Sequence, residues 1–296
     1  MTAIAAVATV GLPATTAGAT RAVASAPATR VGFSGHAFAT YVTAAGVVRS
    51  GPSAVSALGC GPPAGTTTSN STVAVDVPGV LHGATLATTG STYSSGTADR
   101  VATTATAQSV TFPGALTATA VKAESNTVHD SGGYRTSGTG TSIASLKLAG
   151  VPLPVLANPA PNTTIGVPGV GTLILNEQHT TITATSATIT VIAMHLSVTI
   201  PGPQAGANFI VGYAYSALTA PTTGFVSGQA YGTQAQLGSL VGSGPSFLVN
   251  LPCGGTNGNL LTNTGAGVTV PTFLTAGAVT NTGRGSSNPT TASGQT

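Results

Sequence analysis

Val73, Val75 and Val77 alternate with Ala74 and Asp76, the period of a half-buried β-strand. Pro78-Gly79 follows and predicts a type II turn, because glycine accepts the positive φ that its third position requires. The same alternation, written in Thr, Ala and Val, runs through 86–93, 101–112, 116–128 and 141–148. His179 to Ile200 is the longest strand-like run. Around Ile189 to Met194 both parities are apolar, which predicts a central strand buried on both faces. Phe209, Val211, Tyr213 and Tyr215 are expected to share one face, with Gly212 and Ala214 behind. Segments 37–48 and 55–58 are shorter candidates, split by Gly51-Pro52, which cannot continue a central strand. Amphipathic 3.6-residue patterns with caps are missing, and Gly or Pro returns every few residues. Many short β runs with turn signals between them predict an all-β, mostly antiparallel sandwich or barrel-like domain.

The chain also repeats itself. Ser50-Gly51-Pro52-Ser53 leads through an apolar run to Cys60-Gly61, and Ser243-Gly244-Pro245-Ser246 leads by the same spacing to Cys253-Gly254. At a fixed offset of 193, residues 35–94 lie on 228–287 without a gap, and about 20 of the 60 pairs are identical. Among them are Ala37/Ala230, Thr40/Thr233, Asn70/Asn263, Val77/Val270 and Leu81/Leu274. Asn162 to Val170 is a third, shortened echo of Asn70 to Val80. A single β domain over 33–280 is expected, with the two related supersecondary units at its ends. Residues 281–296 are polar and rich in Gly, Ser and Thr, which reads as a flexible tail.

Residues 1–32 read as a signal peptide and linker. Residues 3–12 are a short apolar run, and Ala17-Gly18-Ala19 fits a small-residue cleavage site. Met1-Thr2 lacks the usual positive charge, which points to a start further upstream. No later run reaches the roughly 18 uninterrupted apolar residues of a membrane helix. A secreted chain without a membrane span in its mature form is therefore expected.

Charge changes the picture by its scarcity. Five acids and eight Lys or Arg give a net charge of +3, too dilute for a basic patch. A nucleic-acid partner would need clustered Lys and Arg with interleaved aromatics, so that class is excluded. Solubility rests on Thr, Ser, Asn and Gly.

Two cysteines at equivalent places in an exported chain predict a Cys60–Cys253 disulfide, which needs a Cα separation of about 5.5 Å. Two free thiols or intermolecular bonds are the alternatives. There are too few ligands for a zinc cluster, and no metal or cofactor is expected. Glu177 and His179 stand two apart, on one face if extended, while His36 and His82 face Gln229 and Thr275 in the other copy and read as tolerated polar positions. A glycosidase needs two carboxylates roughly 5 to 9.5 Å apart, and the acids here are scattered. No G-x-S-x-G nucleophile turn occurs, and Ser50 and Ser243 read as turn residues. Thr181, Thr183 and Thr185 form the candidate binding face, a flat hydroxyl array on one strand that could meet ice or crystalline polysaccharide; the plainer reading is β-branched residues filling an exposed strand.

From 33 to 283 the chain resembles the choice-of-anchor P family of exported actinobacterial cell-surface proteins. The resemblance rests on Ala37-Phe38-Ala39-Thr40, Val48 to Pro52, Leu58-Gly59-Cys60, Asn70 with Val77 to Leu81, Leu175-Asn176-Glu177-Gln178 and Asn263 to Val268. It implies an exported surface protein with no assigned activity, although no LPxTG-like motif, hydrophobic tail or basic end is present. The expected function is a structural or adhesive role at the cell surface without catalysis, meeting cell-envelope or extracellular components or further copies of itself. A carbohydrate- or ice-binding module and an extracellular hydrolase are the alternatives. Tyr41, Tyr93, Tyr134 or Tyr213 exposed together would favour a binding module, and a carboxylate converging on histidines would favour an enzyme.

Overall fold

The computed structural model describes residues 30–295, apart from 45–46, 78, 113–115, 154–156, 202–204, 223, 238–239, 244, 252, 254, 271–273 and 288–291. The signal-peptide reading of residues 1–29 and the predicted role of Pro78 lie outside the described residues. In chain order the strands are β1 (Arg30–Ala44), β2 (Val47–Ser50), β3 (Ser56–Cys60), β4 (Thr67–Val77), β5 (Leu81–Ser94), β6 (Asp99–Thr111) and β7 (Leu116–Asp130). Then come β8 (Gly133–Ser137), β9 (Ser142–Leu148), β10 (Val151–Pro152), β11 (Thr163–Val167), β12 (Gly171–Ile182), β13 (Ser186–Val198) and β14 (Asn208–Thr222). The remainder holds β15 (Gln229–Ala230), β16 (Ala235–Leu237), β17 (Leu240–Ser243), β18 (Val249–Asn250), β19 (Leu261–Gly265), β20 (Gly267–Val270), β21 (Leu274–Ala276), β22 (Val279–Ser287) and β23 (Ala292–Gln295). No helix occurs among the described residues.

The expected all-β, mostly antiparallel sandwich is the fold observed. One sheet runs β11-β12-β13-β14-β1-β2-β20-β21, with β3 also on β1; the other runs β10-β9-β7-β6-β5-β4-β17-β16, with β8 also on β7. β14 packs over β6 and β7, and β1 over β5 and β6. Between them lie Leu86, Leu116, Leu173, Leu175, Met194, Leu196 and Phe209, all fully buried. Phe209 meets Phe112 edge-on at 5.6 Å between ring centroids, a favourable aromatic geometry.

Each sheet carries a line along which the side chains change sides. In the first, Ala39, Gly212, Ala193 and Asn176 drop out of the ladder together, while the register on either side of them is unchanged. Gly212 (φ +67°) and Asn176 (φ +49°) are left-handed there. In the second sheet the line runs through Val73, Thr85, Gln108, Ala120 and Ala144, with Thr85 and Ala120 left-handed. A left-handed residue turns the following peptide over, so the alternation restarts on the opposite parity. Phe209 and Val211 therefore point into the core, whereas beyond Gly212 it is Ala214 and Leu218 that are buried. The single row expected from Phe209 to Tyr215 is thus divided between two faces. The apolar doublet of parities near Ile189 to Met194 has the same origin: Ile189 and Val191 are buried before the line, Met194 and Leu196 after it.

The repeat in sequence is a repeat in hydrogen bonding. Thr40 N donates to Ser53 Oγ at 3.0 Å, and Thr233 N donates to Ser246 Oγ at 3.0 Å. Asn70 Nδ2 donates to the Val55 carbonyl, as Asn263 Nδ2 does to that of Leu248. Identical residues thus recur because each closes the same loop. Strand registers recur too: Asn263 faces Asn281 as Asn70 faces Thr88, and Arg284 faces Gln295 as Ser91 faces Ala102. The polar stretch from Asn281, expected as a tail, therefore holds strand residues, in β22 and β23.

The two copies grip each other reciprocally. Val47 and Val48 of β2 pair in parallel with Gly267 and Val268 of β20. Leu240 and Val241 of β17 pair in parallel with Ala74 and Val75 of β4. Shifting either pairing by the repeat offset produces the other, so the copies are related by a pseudo-twofold axis, an isologous arrangement within one chain.

Candidate functional site

Cys60 and Cys253 are bonded, with their Cα atoms 5.1 Å apart. The bridge joins equivalent residues across the pseudo-twofold, and it marks an oxidising, extracellular-type compartment for the folded chain.

The three threonines are not a strand array. Thr181 is on β12, but Thr183 and Thr185 form the turn into β13, where Thr183 Oγ1 meets Ser186 Oγ at 2.8 Å and accepts from the Thr185 N–H. The turn is what interrupts the periodicity. Hydroxyl rows occur instead across the outer face of β4, β5 and β6, where Ser69, Thr89 and Thr104 stand opposite one another. Thr89 Oγ1 and Thr104 Oγ1 lie 2.7 Å apart.

Glu177 and His179 do share a face, and His195 joins them. His179 Nε2 is 2.8 Å from Glu177 Oε1, and His195 Nδ1 is 2.7 Å from Oε2. The cluster follows from hairpin register: β12 and β13 run antiparallel, with Ile174 opposite His195 and Glu177 opposite Ile192. Asn176, left-handed and buried, ties its Nδ2 to the Pro159 carbonyl just before Glu177. Glu177 is largely shielded, at 14% side-chain exposure, while His179 stands out at 67%. Burial pushes the Glu177 carboxyl up, but hydrogen bonds from His179 and His195 and their charges when protonated pull it further down, to below its ordinary range. Both carboxylate oxygens are thereby engaged by imidazoles. Among the described residues no group of three or more His, Cys, Asp or Glu could hold a metal ion.

A depressed folded-state carboxyl contributes stability above the unfolded value near 4.3, and loses it as pH falls through the folded value. Glu177→Gln is therefore expected to flatten the acid limb of the stability profile, by no more than about 1 kcal/mol for a partly solvated pair. Urea midpoints measured between neutral pH and the acid range check this; parallel profiles for parent and variant would contradict it.

Beside this cluster lies an aromatic ladder. Phe38 and Tyr213 stack at 4.4 Å, Tyr213 and His36 at 5.3 Å, and Tyr41 meets Phe38 edge-on. Tyr41 and Tyr213 thus belong to one cluster, whereas Tyr134 stacks on His129 elsewhere. The rings stand against one another and are half-buried, so the ladder offers a ligand edges more than faces. Burial lowers the His36 pKa to about 4, and this imidazole packs as a neutral ring.

A cleft of about 700 Å³ opens between the two copies. Ala54, Val55, Val73, Thr85 and Leu86 line it from the first copy, and Gln229, Gln234 and Pro245 from the second. Among the described residues no charged one lines it. Sequence reasoning missed both His195, which is 18 positions from its carboxylate, and this cleft, which exists only where the copies meet.

No family model and no curated protein matches the chain. Among solved structures the chain is similar to Ail, the attachment invasion locus protein of Yersinia pestis, at 6% identity over 64% of this chain and 96% of that one, with a TM-score of 0.14. A likeness that low carries no argument. No helix among the described residues is long and apolar enough to cross a membrane.

Proposed function

We propose that this is an exported cell-surface protein of the choice-of-anchor P type, with a structural or adhesive role and no catalysis. The observation that carries the reading is the exterior of the sandwich. Its outer faces expose hydroxyls in cross-strand rows, such as Ser69, Thr89 and Thr104, with few charges among them. A disulfide-closed β-sandwich with such a surface suits contact with neutral envelope polymers or with other copies, where hydroxyls exchange hydrogen bonds at little desolvation cost. The carboxylate–imidazole cluster is a feature that favours a hydrolase. Its carboxylate is already bonded at both oxygens. Purified full-length protein is expected to bind isolated envelopes of the producing cell, and Glu177→Gln with His179→Asn to leave that binding unchanged. Loss of a glycosidic or ester-hydrolysing activity in the folded double variant would refute the non-catalytic reading, and failure of the parent to bind envelopes would refute the adhesive one.

A further inference from the structure

The first copy is completed by two strands whose places in the second copy are vacant. In the first, β1 pairs with β3 on one side and with β14 on the other, and β6 lies between β5 and β7. Shifted by the repeat offset, β15 falls on β1 and β23 on β6. β15 keeps one pairing, with Gln229 opposite Asn250 of β18 as His36 is opposite Ala57 of β3. β23 likewise keeps its pairing with β22. On their other sides, where β14 and β7 lie in the first copy, no strand pairs with them among the described residues.

Burial records the vacancy. Ala37, Ala39 and Thr40 of β1 are fully buried, whereas their counterparts Ala230 and Thr233 are half-buried and Gly232 is exposed. Phe38 stacks on Tyr213 of β14, but its counterpart Tyr231 is 50% exposed. In the layer beneath, Leu274 and Val279 are only half-buried where Leu81 and Leu86 belong to the closed core. The backbone agrees. The Gly228 carbonyl accepts from the Leu251 N–H, and the Gly232 N–H donates to the Ser246 carbonyl, both on the β18 side. Peptide groups along a strand point to alternate sides, so the N–H and C=O of Gln229 and Tyr231 face the vacant side. Such a row is a template for another strand, and 227–232 and 292–295 hold neither the charge nor the proline that would blunt it.

Both vacancies open on the same side of the second copy, because β14 packs over β7 in the first. One twofold axis normal to the layers therefore sets β15 and β23 against their own counterparts together. Twofold pairing is antiparallel, as β1 is with β14 and β6 with β7. We propose that a second copy of this chain fills both places. β15 pairs with β15 of the partner subunit and β23 with its β23, which makes two continuous sheets in a homodimer. Tyr231 of one protomer stands against Tyr231 of the partner subunit, as Phe38 stands against Tyr213. The inference rests on strand edges and not on the adhesive reading, so either can fail alone.

Sedimentation equilibrium of the full-length protein should show a dimer that dissociates on dilution. Tyr231→Lys sets like charges against each other across the axis and should weaken association by roughly tenfold or more. Tyr93→Lys changes a tyrosine that is 56% exposed on β5, away from both edges, and should leave association unchanged. Amide exchange followed by NMR tests the pairing itself: the Gln229 N–H should be protected in the dimer and exchange fast in the monomer. The Gly232 N–H, bonded within the chain, should be slow in both. Exchange in the parent needs no variant, so the test stays decisive should Tyr231→Lys disturb the fold. A monomer at every concentration, undiminished association in Tyr231→Lys, loss of association in Tyr93→Lys, or an unprotected Gln229 amide in the dimer would each overturn the proposal.

Discussion

Replacing Cys60 and Cys253 together by alanine is expected to lower the stability of the protein by about 5 kcal/mol, the chain-entropy value for so long a loop. The bridge spans 193 positions of sequence, and its loss returns that freedom to the unfolded chain. It also removes the covalent tie across the pseudo-twofold. Among what remains there are two short parallel pairings, β2 with β20 and β17 with β4, the packing of Tyr41 on Phe247 and Val268, and that of Phe225 on Gly61, where a Cβ would come within 2.3 Å of the ring. Domains of ordinary stability have only about 5–15 kcal/mol in total, so the variant should be near the edge of folding. Urea unfolding of the parent with and without reductant, and of the double variant, measures the effect. A loss under about 1 kcal/mol would mean that reciprocal strand pairing holds the copies without the bridge and that little loop entropy is at stake.

Phe209→Ala should cost about 3–5 kcal/mol, the range for emptying a large aromatic site. Phe209 is fully buried on β14, which packs over β6 and β7, and its ring meets that of Phe112. β14 is held between β1 and β13 in the ladder, so the backbone has little freedom to collapse into the space. Phe209→Leu keeps most of the volume and should lose markedly less. Equilibrium unfolding of both variants decides; equal and small losses would place the ring outside the working core.

The acid limb of the Glu177 profile and envelope binding test separate parts of the molecule. A failure in one leaves the other standing, because they rest on a hairpin register and an outer face respectively.

Strand formation was legible along the chain because alternation is a local property. Val73, Val75 and Val77 need only a sheet with one wet side to be read as strand. The turn motif at Ser50 to Ser53 was legible as a repeat, and its meaning is fairly local as well, since Ser53 closes its loop on Thr40, 13 residues back along the chain. The disulfide could be expected because equivalent residues meet across a twofold. The side on which each residue falls was decided by tertiary structure. A left-handed Thr85, Ala120 or Asn176 has no local signal, since nothing in its neighbours demands positive φ; the neighbouring strands do, because the line must cross the whole sheet for the ladder to stay in register. The same holds for His195, brought to Glu177 by hairpin pairing, and for Thr183 and Thr185, which suit a strand or a turn equally well in isolation. Parallel pairing between copies carries no signature at all in short apolar strands such as Val47-Val48.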